Sequence, residues 1–253
     1  MQKDNIKRCK KSKTGKKIEM ENFIINYFKK LNIEIDSKKA EQFITYKDML
    51  VEWNKVMNLT GITDDREVII KHFADSVMPL TIADFKNKSV IDVGTGAGFP
   101  GLPLKIAEPT IRLTLLDSLL KRLNFLENVC QNIDTEAEFV HGRAEELGKD
   151  INYREQYDIA VSRAVAPLNI LAEYDLPYVK AGGLMIALKG PAAYDEIEQA
   201  KNAVKELGGE IERVEEIALP ETDLKHTIVI IKKISSTPEK YPRRAKKIER
   251  SPL

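Results

Sequence analysis

The stretch Val90-Ile91-Asp92-Val93-Gly94-Thr95-Gly96-Ala97-Gly98-Phe99-Pro100-Gly101 joins a short apolar run to three alternating glycines. Glycine lets the main chain approach a ligand where a Cβ would clash. An apolar strand feeding a glycine turn and then a helix is how doubly wound α/β folds hold an adenosine-type ligand. A dinucleotide fingerprint wants G-x-G-x-x-G, and its third glycine would fall at position 99, where this chain has Phe99. That mismatch argues against an NAD-type oxidoreductase.

The spacing Gly94, Gly96, Gly98 is instead that of the tight turn in S-adenosylmethionine (SAM) methyltransferases. Four positions then fall where such a site needs them, each just after a predicted strand, because ligands of open α/β sheets lie off the carboxyl ends of the strands. Residues 94–98 face the methionine and ribose part. Asp117, 23 residues after Gly94, can accept from both ribose hydroxyls. Ala144-Glu145 place a backbone N–H and a carboxylate where they can read an adenine edge. Arg163, in Val161-Ser162-Arg163-Ala164-Val165-Ala166-Pro167, falls beside the transferred methyl. Each has a plain structural reading as well: Asp117 as a helix cap, Glu145 as a surface acid, Arg163 as a salt-bridge partner. Their joint occurrence after four successive strands is what singles them out.

The elements that must position these residues follow from periodicity. Residues 20–80 read helical. Phe23, Ile24, Tyr27, Phe28 and Leu31 recur at helical spacing; Ser37 is placed to cap a second helix carrying Ala40, Phe43, Ile44, Leu50 and Val51; Asp64 or Asp65 is placed to cap a third that ends near Pro79. From residue 89 strands and helices alternate. Strands are expected at 89–93, 111–116, 137–141, 157–161, 183–188, 211–218 and 226–233, and helices near 100–107, 119–131, 143–147, 167–179 and 192–207. One stripe of the 119–131 helix carries Leu119, Leu123, Leu126 and Cys130. Alternation of this kind predicts a mostly parallel sheet wrapped by helices. The last two strands have no helix between them and read as a terminal hairpin. The expected division is a basic, disordered extension at 1–19, a helical region at 20–82, a SAM-dependent methyltransferase domain at 83–236 and an irregular basic tail at 237–253. Met20 opens a good helix, so 1–19 reads as an extension upstream of it.

The net charge of +1 hides an asymmetry. Residues 1–17 hold eight Lys/Arg and one acid, and residues 240–250 hold six Lys/Arg and one acid. The body, 18–239, carries 26 basic and 37 acidic residues, a net of −11. Basic tails on an acidic body suit a polyanionic partner, although such tails are often merely solvated. No apolar run approaches the roughly 18–20 residues that span a membrane, and the basic N-terminus is followed by no apolar segment of a signal peptide. The two cysteines, Cys9 and Cys130, and the three histidines show no metal-ligand spacing. A reducing cytoplasm, no metal and a monomer are the expectations.

Several separate motifs in order resemble one family. They are the segment from Val90 to Pro103 with its Gly-Phe-Pro-Gly-Leu-Pro ending, Asp117-Ser118 with Lys121-Arg122, Gly142-Arg143-Ala144-Glu145-Glu146 and Ser162-Arg163-Ala164. Trp53-Asn54, Asn58-Leu59-Thr60, His72-Phe73-Ala74-Asp75-Ser76 and Tyr241-Pro242-Arg243 join them. Over roughly 20–250 the chain is similar to the RsmG family, also called glucose-inhibited division protein B. That resemblance implies the Class I SAM-methyltransferase fold, Rossmann-like with a mostly parallel seven-stranded sheet and an N-terminal helical extension. It implies SAM-dependent methylation of N7 of one guanine in 16S ribosomal RNA of the small subunit, near the decoding region. The family's cofactor positions carry over to Gly94, Phe99, Ala144, Glu145 and Arg163; Gly96 and Asp117 join them on physical grounds.

The residues suit that chemistry. Methyl transfer from a sulfonium is an in-line displacement that needs alignment and exclusion of water. A C5-pyrimidine enzyme needs a cysteine nucleophile, yet Cys9 lies in the basic tail and Cys130 on a core stripe. An exocyclic-amine enzyme usually shows Asn/Asp-Pro-Pro-aromatic after strand four, where this chain reads Ser162-Arg163-Ala164-Val165. Guanine N7 carries no proton, so no catalytic acid, base or nucleophile is required, and Arg163 is the residue nearest the transfer site. Arg163 should not grip guanine through O6 and N7 together, since that would occupy the attacking lone pair. His72 reads as structural or RNA-contacting, Trp53 as core, and Lys189-Gly190-Pro191 as able to touch RNA. The alternatives are a SAM-dependent methyltransferase on a non-RNA substrate and a non-catalytic SAM-binding ribosome-assembly protein.

Overall fold

The apolar runs at 90–93 and 113–116 are buried along their whole length, as strands inside a helix-covered sheet must be. They lie at the centre of the computed structural model, which describes residues 2–223 and 225–253, with side chains from residue 15 onward. The strands are β1 (Ser89–Val93), β2 (Arg112–Asp117), β3 (Glu138–His141), β4 (Tyr157–Arg163), β5 (Val179–Lys189), β6 (Gly209–Ala218) and β7 (Lys225–Lys233). Their order is β3-β2-β1-β4-β5-β7-β6, with β7 antiparallel to both neighbours and the other pairings parallel. The terminal hairpin is therefore present, with its second strand inserted beside β5. The chain runs outward from β1 through β2 and β3, then returns to β4 on the other side of β1. That reversal opens a crevice at the carboxyl ends of β1 and β4.

Helices α5 (Gly101–Ala107) and α6 (Leu120–Asn132) cover one face of the sheet. Helices α8 (Leu168–Asp175) and α9 (Ala193–Glu206) cover the other. The short α7 (Ala144–Leu147) follows β3. In α6, Leu123, Leu126 and Cys130 are buried as their spacing predicts. Leu119 precedes the helix and is 42% exposed, because the turn after β2 swings it off the stripe.

The N-terminal elements are α1 (Gln2–Lys30), α2 (Ser37–Met57), α3 (Asp65–Glu67), a π-helix over Val68–Ala74, α4 (Asp75–Val77) and a 3₁₀ turn over Met78–Thr81. Residues 2–19 of the extension, expected to be disordered, lie within α1. It contains no proline and one glycine, and lysine is a fair helix former, so the helix of 20–30 can continue backward. Cys9 lies outside the residues whose side chains are described. Asp36, not Ser37, caps α2, accepting from Lys39 N at 2.8 Å. Asp64 caps α3 by accepting from the N–H groups of Arg66 and Glu67. The third helix is not regular: seven residues of π-helix interrupt it before Pro79 ends it. Residues 20–82 build no core of their own. Phe43 lies 5.2 Å from both Phe28 and Phe73, and Tyr46 reaches Phe73, Phe99 and Phe125 within one continuous cluster against the sheet.

The C-terminal tail also differs from expectation. It folds back and ends in α10 (Ala245–Arg250), with Tyr241 and Ile248 buried. Glu173 of α8 is fully buried and takes a forked ion pair from Arg243, with contacts of 2.7–3.1 Å. Arg154 adds hydrogen bonds to the carbonyls of Thr237 and Tyr241. A buried carboxylate must be paired, and that need ties down a segment whose composition alone reads as solvated. Arg243→Ala should therefore lower stability by about 3 kcal/mol in denaturant unfolding. A loss below about 1 kcal/mol would show that this pair does not anchor the tail.

Candidate active site

Three glycines shape the turn after β1, and all three have positive φ: +73° at Gly94, +60° at Gly96 and +101° at Gly98. Their reasons differ. A Cβ on Gly98 would lie 2.6 Å from Leu126 Cδ2 and collide with the Tyr46 hydroxyl, so this glycine serves packing against α2 and α6. A Cβ on Gly94 would reach Val165 Cγ2 at 3.0 Å, across the crevice. A Cβ on Gly96 would meet only the Gly94 carbonyl oxygen at 3.9 Å, so it would enter open space. Asp92 holds the turn from below. Its Oδ2 accepts from Thr95 Oγ1 at 2.7 Å and from Gly101 N at 2.8 Å. From the other side the Tyr46 hydroxyl donates to the Ala97 carbonyl.

Above this turn opens a cleft of about 470 Å³. Every residue expected to contact the cofactor lines it: Gly94, Gly96, Phe99, Asp117, Ala144, Glu145 and Arg163. Its volume falls in the roughly 300–1,000 Å³ range of small-molecule sites. Asp117 ends β2 and is 2% exposed. Its oxygens accept from Gly96 N (2.9 Å) and Leu119 N (2.8 Å), and Arg122 Nη1 lies 3.2 Å away. It thus anchors both flanking turns; Oδ2 already takes two donors, and Oδ1 has a further lone pair to offer. Ala144 opens α7, where the first N–H groups have no partner inside the helix. Tyr178 holds the Ala144 carbonyl at 2.6 Å, and Arg143 Nε pairs with Glu145 at 3.1 Å.

Arg163 closes the opposite end. Its guanidinium stacks 4.7 Å from the Phe99 ring centroid. Nη1 donates to Asp75 Oδ2 at 2.8 Å and to the carbonyls of His72 (3.3 Å) and Lys71 (3.4 Å). The sequence reading missed Asp75 as a site residue, although it is part of the His72–Ser76 motif quoted above. His226 was likewise missed; its Nδ1 bonds Asp75 from β7. His72 stacks on Phe99 at 4.7 Å and bonds Thr60 Oγ1 at 2.7 Å. Burial, then the Arg163 charge, pushes its pKa down to about 4, so it is neutral near pH 7. The Asp75 bond, opposed by burial, holds His226 above its ordinary value. Ala164, next in chain, has φ +56°, a left-handed turn that an alanine adopts at a cost.

One minor expectation changes. Lys189 is not free to touch RNA: its ammonium is buried, pairs with Glu196 at 2.6 Å and donates to the Ala166 carbonyl. Its position at the end of a central strand directs it inward. Trp53 packs 5.5 Å from Phe125, in keeping with a core role. Burial raises the Cys130 thiol to about 12, and it lies in the core rather than on the cleft wall. Among the described residues no three His, Cys, Asp or Glu side chains gather to hold a metal, and no helix is long and apolar enough to cross a membrane.

A model of the GidB family, described as rRNA small subunit methyltransferase G, matches residues 39–225. The chain is 53% identical over 241 residues to ribosomal RNA small subunit methyltransferase G of Thermoanaerobacter sp. (strain X514), covering 94% of this chain and 99% of that one. It is 53% identical over 225 residues to the protein of the same name from Alkaliphilus oremlandii (strain OhILAs), covering 88% and 94%. Among solved structures, M. jannaschii TYW2 in complex with AdoMet superposes with a TM-score of 0.51 at 12% identity, over 69% of this chain and 80% of that one. The pyocyanin biosynthetic protein PhzM gives 0.52 at 16%, over 72% and 61%. At such identities the likeness is one of fold, the Class I SAM-methyltransferase fold expected from the sequence.

Burial raises Asp92 to about 7, against the opposing hydrogen bonds from Thr95 and Gly101. The folded state therefore keeps a proton that the unfolded chain releases near pH 4. This stabilisation is full below that pH and is lost as pH climbs through 7. Asp92→Asn keeps an acceptor and cannot lose the proton. Relative to wild type it should gain about 2–4 kcal/mol between pH 4 and pH 8; a flat difference would mean that Asp92 does not carry the proton.

Proposed function

The chain belongs to the GidB family, rRNA small subunit methyltransferase G, and on that premise we propose that it transfers the methyl group of SAM to N7 of one guanine in 16S ribosomal RNA, near the decoding region. It is a SAM-dependent rRNA methyltransferase; the atom and the target are the finer part of the reading. The observation that carries them is the cleft at the β1/β4 crevice, which combines a glycine cradle, two acids and the anchored Arg163, with no cysteine or lysine among its lining residues.

The residues present fit SAM. The open space over Gly96 is a cradle that a side chain there would fill. Gly94 and Gly96 would face the methionine and ribose part, Asp117 would accept from ribose hydroxyls, and Ala144 N–H with Glu145 would read the adenine. Phe99 and Arg163 would bound the methyl end. The bound cofactor supplies an electrophilic methyl on a sulfonium. The protein's own work is then to bind, align and exclude water. His72, the imidazole on the cleft wall, has Nε2 on Thr60 and Nδ1 facing Arg163, so it is no available base. A nucleophile without a proton, such as guanine N7, suits a site of this kind. Arg163 Nη1 is already engaged by Asp75 and two carbonyls, which disfavours a bidentate grip on O6 and N7.

RNA would be held by localised contacts, because the body is acidic. Lys121, Arg122 and Arg143 lie on segments that border the cleft, and Lys246, Lys247 and Arg250 are exposed on α10. Phosphate contacts from such groups position the RNA, and the target base is splayed from its stack into the cleft.

Labelled methyl should pass from SAM to small ribosomal subunits that lack the native modification, and digestion should yield N7-methylguanosine from 16S RNA alone. SAM binding with no transfer to any RNA would instead favour a non-RNA substrate or a non-catalytic role in ribosome assembly. Asp117→Ala should weaken SAM by about 1–3 kcal/mol in calorimetry; an unchanged dissociation constant would remove Asp117 from the ribose.

A further inference from the structure

Asp75 is 1% exposed and accepts from two cationic-type side chains that arrive from different parts of the fold. Arg163 reaches it from β4, 88 residues away, and His226 from β7, 151 residues away. The N-terminal layer supplies the rest of the seat. The π-helix turns the His72 and Lys71 carbonyls toward Arg163 Nη1, and His72 Nδ1 lies 3.4 Å from Nη2. His72 is fixed in turn by Thr60, whose N–H and carbonyl are both bonded to the Asn54 side chain. So Asn54, Thr60, His72 and Asp75, which the cofactor-binding reading leaves without a task, converge on one guanidinium.

A buried ion pair is a poor source of stability, since desolvation offsets most of its Coulomb gain. Well-packed apolar side chains would hold these helices to the sheet at least as well. What the pair does supply is a fixed location for a charge. We infer that Asp75 is a positioning residue for methyl transfer: with His226 behind it, it holds the Arg163 guanidinium over Phe99 at the methyl end of the cleft. The N-terminal helices thereby complete the active site of the sheet domain. An unheld arginine would swing between rotamers and leave the target base and the methyl donor without a fixed boundary. Displacement of a positioning group by about 1 Å can cost on the order of 100-fold in rate. This inference rests on the proposed methyl transfer to rRNA.

The test compares wild type, Asp75→Asn, Arg163→Lys and the double variant. Single-turnover methyl transfer to small subunits and SAM binding by calorimetry are measured for each, and arginine side-chain ¹⁵N NMR is recorded. Asp75→Asn should lose roughly 10–100-fold in transfer rate while its SAM dissociation constant stays within about threefold. The double variant should be no more than about threefold slower than the slower single variant, because the two residues act as one unit. The Arg163 signal, identified by its loss in Arg163→Lys, should be resolved in wild type and averaged by free rotation in Asp75→Asn. A transfer rate within about twofold of wild type, or losses that multiply, would overturn the inference. If Asp75→Asn does not fold, His226→Gln takes its place with the same two readouts and a smaller loss, about threefold to tenfold. Wild type that methylates no rRNA would sink the rRNA reading separately; the NMR signal still decides, and an Arg163 resonance as resolved in Asp75→Asn as in wild type would overturn the role of Asp75.

Discussion

One carboxylate oxygen beneath the sheet's carboxyl edge sets the shape of the cleft. Asp92 Oδ2 receives the Thr95 hydroxyl from the start of the glycine turn and the Gly101 N–H from its end. The five residues between them, 96–100, are thus cinched at both ends to the end of β1. In the dry interior such bonds are strong, and leaving them unmade is costly. Burial of Asp92 is tolerable because those donors are there, and the turn keeps its left-handed glycines because Asp92 leaves it little other room. Everything above the turn inherits this geometry: the open floor at Gly96, the placement of Phe99, and the approach of Asp117 to Gly96 N.

The N-terminal helices are part of that arrangement and not an appendage to it. Tyr46 of α2 packs against Phe73 and Phe99 and donates to the Ala97 carbonyl, so the turn is held by α2 as well as by Asp92. The same layer delivers Asp75 to Arg163. The aromatic cluster of Phe28, Phe43, Phe73 and Phe125 joins these helices to α5, α6 and the sheet in a single core. Removal of the helical region would therefore expose that core and also strip the Arg163 end of the cleft of its wall.

Charge is arranged on two scales. Over the whole chain, the basic residues cluster at the ends and the acids in the body. Close in, individual charges are matched one by one: Arg243 by Glu173, Lys189 by Glu196, Arg163 by Asp75. Long-range charge steers a polyanion and is screened by salt, whereas the matched buried pairs fix backbone and side-chain positions. Arg243 shows why composition misleads about the tail. It belongs to a basic run, yet its guanidinium neutralises a buried acid on α8, and its neighbours Tyr241 and Ile248 are buried with it.

The sequence by itself determined the strand and helix succession, because apolar runs and 3.6-residue periodicity act locally. It also determined the glycine turn and the cleft-lining residues after β1 to β4, because strand ends in a parallel sheet all open on one edge. The RsmG resemblance carried the activity. Tertiary structure alone decided which partners those residues take. Nothing near Arg163 in the chain announces Asp75 or His226, since the pairing joins β4, the N-terminal layer and β7. Nor does the spacing of the glycines reveal that Gly98 answers to Tyr46 and Leu126 while Gly96 answers to open space. The π-helix at Val68–Ala74 and the docked tail were beyond local reading for the same reason. Periodicity reports which face of a segment is apolar, but the partner across that face, and the buried charge that must be met there, exist only once the chain has closed on itself.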